Sequence, residues 1–154
     1  MKTNEMLNNF LMEVQHLANK DFDASSDELF CECPGGKARP ASSYIAEAGL
    51  LNSASAEKLR NPSAELDMGA TFATLGNYNS VQASREAFNK GVQDLSEAIM
   101  ATSDDDLNTE LSAPWGMPTT KGKLILHSIA HSMYHLGQLN QMQLIKGDEE
   151  VHWM

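Results

Sequence analysis

The residues able to do chemistry crowd into one stretch: Leu126-His127-Ser128-Ile129-Ala130-His131-Ser132-Met133-Tyr134-His135-Leu136-Gly137-Gln138-Leu139. It holds three of the five histidines of the chain, each four residues from the next. A step of four advances about 40° around an α-helix, so His127, His131 and His135 fall on one face. Side chains at this spacing lie about 5–6 Å apart. Two imidazoles can then share one divalent ion through bonds of about 2.0–2.1 Å, whereas three in a row can hardly reach one ion without distorting the helix. A buried imidazole without a partner costs about 1–3 kcal/mol. The stripe is therefore either a metal or ligand site, or a hydrogen-bonded ladder that serves the core.

The helix that carries the stripe must be covered. Leu124, Gln138 and Met142 share the histidine face, which predicts that this face points inward. Ile125, Ile129, Met133 and Leu136 form the opposite face. A helix apolar on both faces is covered on both, here by the bundle and by a partner subunit, so a homodimer is expected.

Three further helices are predicted. Met6, Leu7, Phe10, Leu11, Val14 and Leu17 recur at helical spacing and set a first helix over about Asn4 to Lys20. Asp21 to Pro40 contains Cys-Pro-Gly-Gly and Arg-Pro, which are breaker signals. A second helix starts near Pro40, carries Tyr44, Ile45, Ala48, Leu51 and Leu59, and ends before Asn61-Pro62. Pro62 to Asn79 reads as a long connection, helical in part around Ala70 to Leu75, and its length fits a crossover better than a tight hairpin. The third helix starts at Asn79 or Ser80, either of which can cap free N–H groups. Its stripe is Val81, Phe88, Val92, Leu95 and Ile99. Asp104-Asp105-Asp106 reads as a solvated turn. A loop with one large aromatic, Trp115, precedes the fourth helix, which starts at Thr119 or Thr120 and closes with Lys146 and Gly147. No segment alternates long enough for a sheet, so the fold class is all-α, a four-helix bundle in one domain spanning 1–154.

The run His131-x-x-x-His135-Leu136-Gly137-Gln138, led by His127 and placed on a final helix after a Pro-Trp-Gly loop, resembles the DinB-like superfamily. The resemblance follows helix order over nearly the whole chain, although its specific part is about a dozen residues. It implies a four-helix bundle, often dimeric. It also implies a divalent metal, commonly zinc or nickel, held by one histidine of helix two and the two of His-x-x-x-His on helix four. His131 and His135 match those ligands. His127 matches a histidine one turn earlier that supports the site rather than binding metal. The "damage-inducible" name behind the family label describes expression and does not imply DNA binding.

Helix two departs from the pattern, because no histidine lies between Pro40 and Arg60. The nearest metal-capable side chain is Glu47, in Tyr44-Ile45-Ala46-Glu47-Ala48. A carboxylate can replace histidine around zinc. An anion is also favoured near a helix start by the dipole. Both readings of Glu47 stay open. Relatives by resemblance include transferases and isomerases that use low-molecular-weight thiols such as mycothiol or bacillithiol, and hydrolases. The expected function is thus a metal-dependent hydrolase or thiol S-transferase. The alternative is a non-catalytic ligand-binding or stress-response module with a degenerate metal site. A purely structural dimer with a histidine ladder is the third.

Other residues carry weaker signals. Tyr134 lies beside the stripe and could donate a hydrogen bond to a substrate. Trp115 either lines a pocket mouth or is packed. His16 reads as a surface histidine, and His152 sits in a tail, Val151-His152-Trp153-Met154, that could fold back on the bundle. Cys31 and Cys33, two apart, cannot close a disulfide without strain and read as reduced thiols, with a soft ligand or redox role as the sharper option. With 21 acids against 11 bases the net charge is -10, and no basic cluster exists to grip phosphates, so nucleic-acid binding is disfavoured. No apolar run approaches the ~18 residues of a membrane span. The N-terminus lacks the apolar block of a signal peptide, and a cytoplasmic protein is expected.

Overall fold

The computed structural model describes all 154 residues. Along the chain run α1 (Thr3–Asp23), α2 (Asp27–Cys31), α3 (Ala41–Arg60), α4 (Met68–Ala73), α5 (Val81–Ala101), β1 (Glu110–Ser112), β2 (Pro118–Thr120) and α6 (Lys121–Ile145). The long helices α1, α3, α5 and α6 are the four expected from periodicity, and the fold is all-α. α5 starts where Ser80 Oγ accepts from the Ala83 N–H. α6 starts where Thr120 Oγ1 accepts from Lys123, and it closes at Lys146 before Gly147, whose φ is +89°.

Side-chain pairs give the directions of the helices. Ser84 donates to the Ser42 carbonyl and Ser53 to Asp94, so α3 and α5 run parallel. Ser96 reaches Asn8 while Gln15 reaches Asn89, so α1 is antiparallel to α5. Ser128 meets Ser55 and Asn52 meets Ser132, so α6 is antiparallel to α3. Parallel neighbours need a return strand of chain the length of the bundle. That is why residues 61–80 form a long crossover, with α4 inside it.

α3 and α5 touch through backbone. A Cβ added to Gly49 would strike the backbone of Ala87 and Phe88, and one added to Gly91 would strike Gly49 itself. Only glycine permits this approach. The contact holds α3, and with it Glu47, at a set depth.

The core joins Leu7, Leu11, Val14 and Phe22 of α1 to Ile45 and Ala48 of α3, Phe88 and Val92 of α5, and Ile125 and Leu136 of α6. On α1 the buried seam is narrower than the apolar stripe. Met6 and Phe10 are half exposed and Leu17 is partly so.

Three expectations are corrected. A small sheet exists: β1 and β2 pair antiparallel, Leu111 opposite Thr119. Three-residue strands are too short to show alternation in the sequence. Asp104, expected to be merely solvated, accepts hydrogen bonds from the Thr3 and Asn4 N–H groups and so caps the start of α1. The two apolar faces read on helix four converge on one core, since Leu124, Ile125, Ile129, Leu136 and Met142 are all buried in the same chain. The outer face of α6 carries Leu126, Tyr134, Leu144 and Ile145 instead, and the two-face argument for a partner subunit lapses. No helix is long and apolar enough to cross a membrane.

Candidate metal centre

The histidine stripe of α6 descends from solvent into the core. His127 is exposed, His131 is partly buried, and the His135 side chain is 3 % exposed. The 40° advance per step accounts for the gradient, because His135 has turned about 80° past His127. The inward face predicted for all three thus belongs to His135 and in part to His131.

Antiparallel to α6, α3 places Glu47 opposite the gap between these two rings. His131 Nε2 and His135 Nε2 are 3.1 Å apart. Glu47 Oε1 is 3.5 Å from the first and 3.6 Å from the second. A point equidistant from the three atoms lies about 2.0 Å from each, which is the length of a zinc–nitrogen or zinc–carboxylate bond. These three side chains form the group of donors able to hold one ion. Below them Asn52 Nδ2 donates to Ser132 Oγ and Ser128 Oγ to Ser55 Oγ, bonds that fix the rotation of α6 against α3.

The outer nitrogen of His135 is anchored. Its Nδ1 lies 2.7 Å from Gln138 Oε1, and Gln138 Nε2 donates to the Tyr134 hydroxyl at 3.3 Å. With the amide nitrogen committed to Tyr134, the amide oxygen accepts the Nδ1 proton. The Nε2 lone pair is then turned toward Glu47, the usual arrangement of a ligating histidine. Tyr44 stacks on the same ring, with centroids 5.3 Å apart and planes at 11°. His131 is packed between the edge of His135 and the face of His127. Its Nδ1 is buried without a hydrogen-bond partner. A purely structural ladder is therefore satisfied at His135 but not at His131.

Glu47 lies past the first turn of α3, a turn that contains no acidic residue, so the dipole at the helix start does not account for it. Its other oxygen, Oε2, accepts from Arg39 Nη1. Arg39 follows a turn in which Gly35 and Gly36 adopt φ of +121° and +58°, values open to glycine. The imidazoles of His131 and His135, and then Arg39, hold the Glu47 carboxyl well below the usual carboxylate range, against the opposing effect of its burial. At 3.5 and 3.6 Å the imidazole contacts are longer than good hydrogen bonds, and a ring lowers the carboxyl pKa only while its Nε2 carries a proton; the tautomer that turns the Nε2 lone pair inward is the one that binds an ion.

The remaining candidates fall around this centre or away from it. The hairpin sets Trp115 on His127, with centroids 4.6 Å apart. This pair flanks the site at its solvent end; although His127 is exposed overall, partial desolvation of its ring, followed by His131, lowers its pKa. His16 is exposed on α1. The tail does fold back: Trp153 Nε1 donates to Asp21 Oδ2 at 2.7 Å, and His152 pairs with Asp148 at 2.8 Å. Cys31 and Cys33 are exposed free thiols outside the donor group. Sequence reasoning missed Arg39, which lies just ahead of α3 and reaches a partner eight residues on, inside the helix, so no helical pattern pairs them. It also took Tyr44 for core alone.

Fold and site together define an all-α bundle with a His-x-x-x-His and carboxylate donor set at the meeting of two antiparallel helices. A family model of the DinB superfamily matches residues 8–139, and the chain belongs to that superfamily. A comparison with curated proteins gave no match.

Proposed function

We propose that Glu47, His131 and His135 hold a divalent ion, zinc or nickel, and that the protein is a metal-dependent enzyme acting on a small molecule as a hydrolase or thiol S-transferase. The convergence of three donor atoms on a point about 2.0 Å from each carries this reading. Arg39 supports it, because it engages Oε2 and leaves Oε1 to the histidines. When bound, such an ion is a Lewis acid that lowers the pKa of a water or thiol toward neutrality. The chain's own residues do the rest. Gln138 keeps the proton of His135 on Nδ1. Arg39 pairs with Oε2 of Glu47. The hydroxyl of Tyr134, an exposed residue beside the centre, stands within reach of a substrate.

A cytoplasmic homodimer belongs to the same proposal. The exposed free thiols Cys31 and Cys33 suit a reducing compartment. The exposed Leu126 and Leu144 on the outer face of α6, away from the pocket lined by Tyr44 and Tyr134, suit a second copy.

A second reading, a non-catalytic binding module, draws support from two observations. Arg39 competes for Glu47, and His131 Nδ1 lacks the outer partner that strengthens a ligand. The test is to load the protein with zinc or nickel and screen ester and amide hydrolysis and transfer of low-molecular-weight thiols, with His131→Ala as the blank. Metal-dependent turnover absent from the variant supports the enzyme. Metal uptake without turnover in any assay supports the module.

A further inference from the structure

Beside the donor group lies a pocket of about 490 Å³, within the range of small-molecule sites. Tyr44, Tyr134, Met142 and Ile145 supply an apolar wall, and Gln138 and Arg39 join it to the histidine–carboxylate cluster. No acidic residue lines it, and Arg39 is its one cation, in a chain of net charge -10. The Arg39 side chain is 46 % exposed and spends Nη1 on Glu47, so other N–H groups of its fork are free to bind. The Tyr44 hydroxyl is buried without a partner.

Gly137 adds an independent observation. It sits in the middle of α6 on an exposed face, where glycine weakens a helix. A Cβ there would meet nothing within 4 Å, so no packing contact requires its small size. Gly137 lines the pocket, and at that point no side chain occupies it.

We propose that this pocket binds the substrate, a small monocarboxylate whose acid group pairs with Arg39 and whose apolar body lies against Tyr44, Tyr134 and Met142. The proposal rests on the metal-dependent reading above and names its substrate class. A single guanidinium fork with no second cation suits a carboxylate rather than a dianionic phosphate. Arg39, bonded at once to Glu47 and open to the pocket, sets the acid end of the substrate beside the metal-binding donors and determines specificity.

The test is calorimetric titration of the zinc-loaded full chain with hexanoate, hexan-1-ol and hexyl phosphate, with the zinc content of every variant measured in parallel. Hexanoate is expected to bind at least ~10-fold more tightly than the alcohol, as a charge-assisted pair implies. Arg39→Gln removes that preference. Gly137→Leu, which alters neither Arg39 nor any donor residue, fills the pocket and weakens hexanoate at least ~10-fold at unchanged zinc content. A preference that survives Arg39→Gln but disappears in His131→Ala puts the anion on the metal; it overturns the pocket assignment and upholds the metal reading. Arg39-dependent binding in a protein that takes up no zinc upholds the pocket and overturns the metal reading. Tighter binding of hexyl phosphate overturns the carboxylate class.

Discussion

Gln138 Oε1 stands 2.7 Å from His135 Nδ1, and this contact decides which nitrogen of the ring faces Glu47. Outer partners of this kind are worth about 10–100-fold in metal affinity. Gln138→Leu is expected to weaken zinc binding by about that factor with helix content unchanged, measured by competition with a chromogenic chelator. An affinity equal to that of the wild type removes Gln138 from the account.

Glu47 is a ligand in this account rather than a helix-start residue. Glu47→Gln keeps the shape and removes the charge. Zinc affinity should fall at least ~10-fold, since a neutral amide is a poor zinc ligand beside a carboxylate. The zinc-dependent rise in Tm should shrink with it, because a ligand stabilises only in proportion to its binding. If the variant loses stability in chelator but binds zinc as before, Glu47 is structural.

Burial of Asp21 has a pH signature. Trp153 donates to Oδ2, yet Oδ1 is buried without a partner, and desolvation raises the carboxyl pKa against hydrogen bonds from Trp153 and Asn140. A raised folded pKa means that the ionised form costs stability. The cost is fully present above the folded pKa and is gone below the unfolded value of about 3.9. Asp21→Asn retains an acceptor for Trp153 and should stabilise by on the order of 1 kcal/mol at pH 7.5, or about 2–4 °C in Tm. The gain should fade as pH approaches 4. Denaturation scans across that range check it, and a loss of stability at pH 7.5 contradicts it.

The crossing of α3 and α5 leaves no room at Gly91, where a Cβ would meet the backbone of Gly49. Backbone cannot swing aside as a side chain can. Gly91→Ala should therefore cost about 3 kcal/mol or more, the upper end for overpacking. It should also lower zinc affinity, because α3 carries Glu47. Urea unfolding measures the first effect and chelator competition the second. A Gly91→Ala protein as stable as wild type means the two helices are not in backbone contact.

Much of this site is legible in one dimension. His131 and His135 meet because helical spacing alone brings them together. Glu47 stands out because no histidine occupies helix two. Ser80, Thr120 and Gly147 mark helix ends through local chemistry, and the long crossover follows from its length. The depth of each histidine is not legible, since it depends on how α6 is rotated against the core, a matter settled by Ser128, Ser132 and their partners on α3. The pairing of Arg39 with Glu47 joins a residue ahead of α3, placed by the turn at Gly35 and Gly36, to one inside the helix, and no periodicity encodes it. The reach of Asp104 to the start of α1 spans 100 and 101 residues of chain and is written only in the tertiary packing.

The central claim is that His131, His135 and Glu47 bind one divalent ion. The direct measurement is elemental analysis of protein purified without a histidine tag, before and after a chelator wash and reloading, for the wild type and His131→Ala. The account predicts about one zinc or nickel per chain in the wild type and none in the variant. A wild-type protein that takes up no metal after reloading, or a variant that holds as much as the wild type, contradicts it.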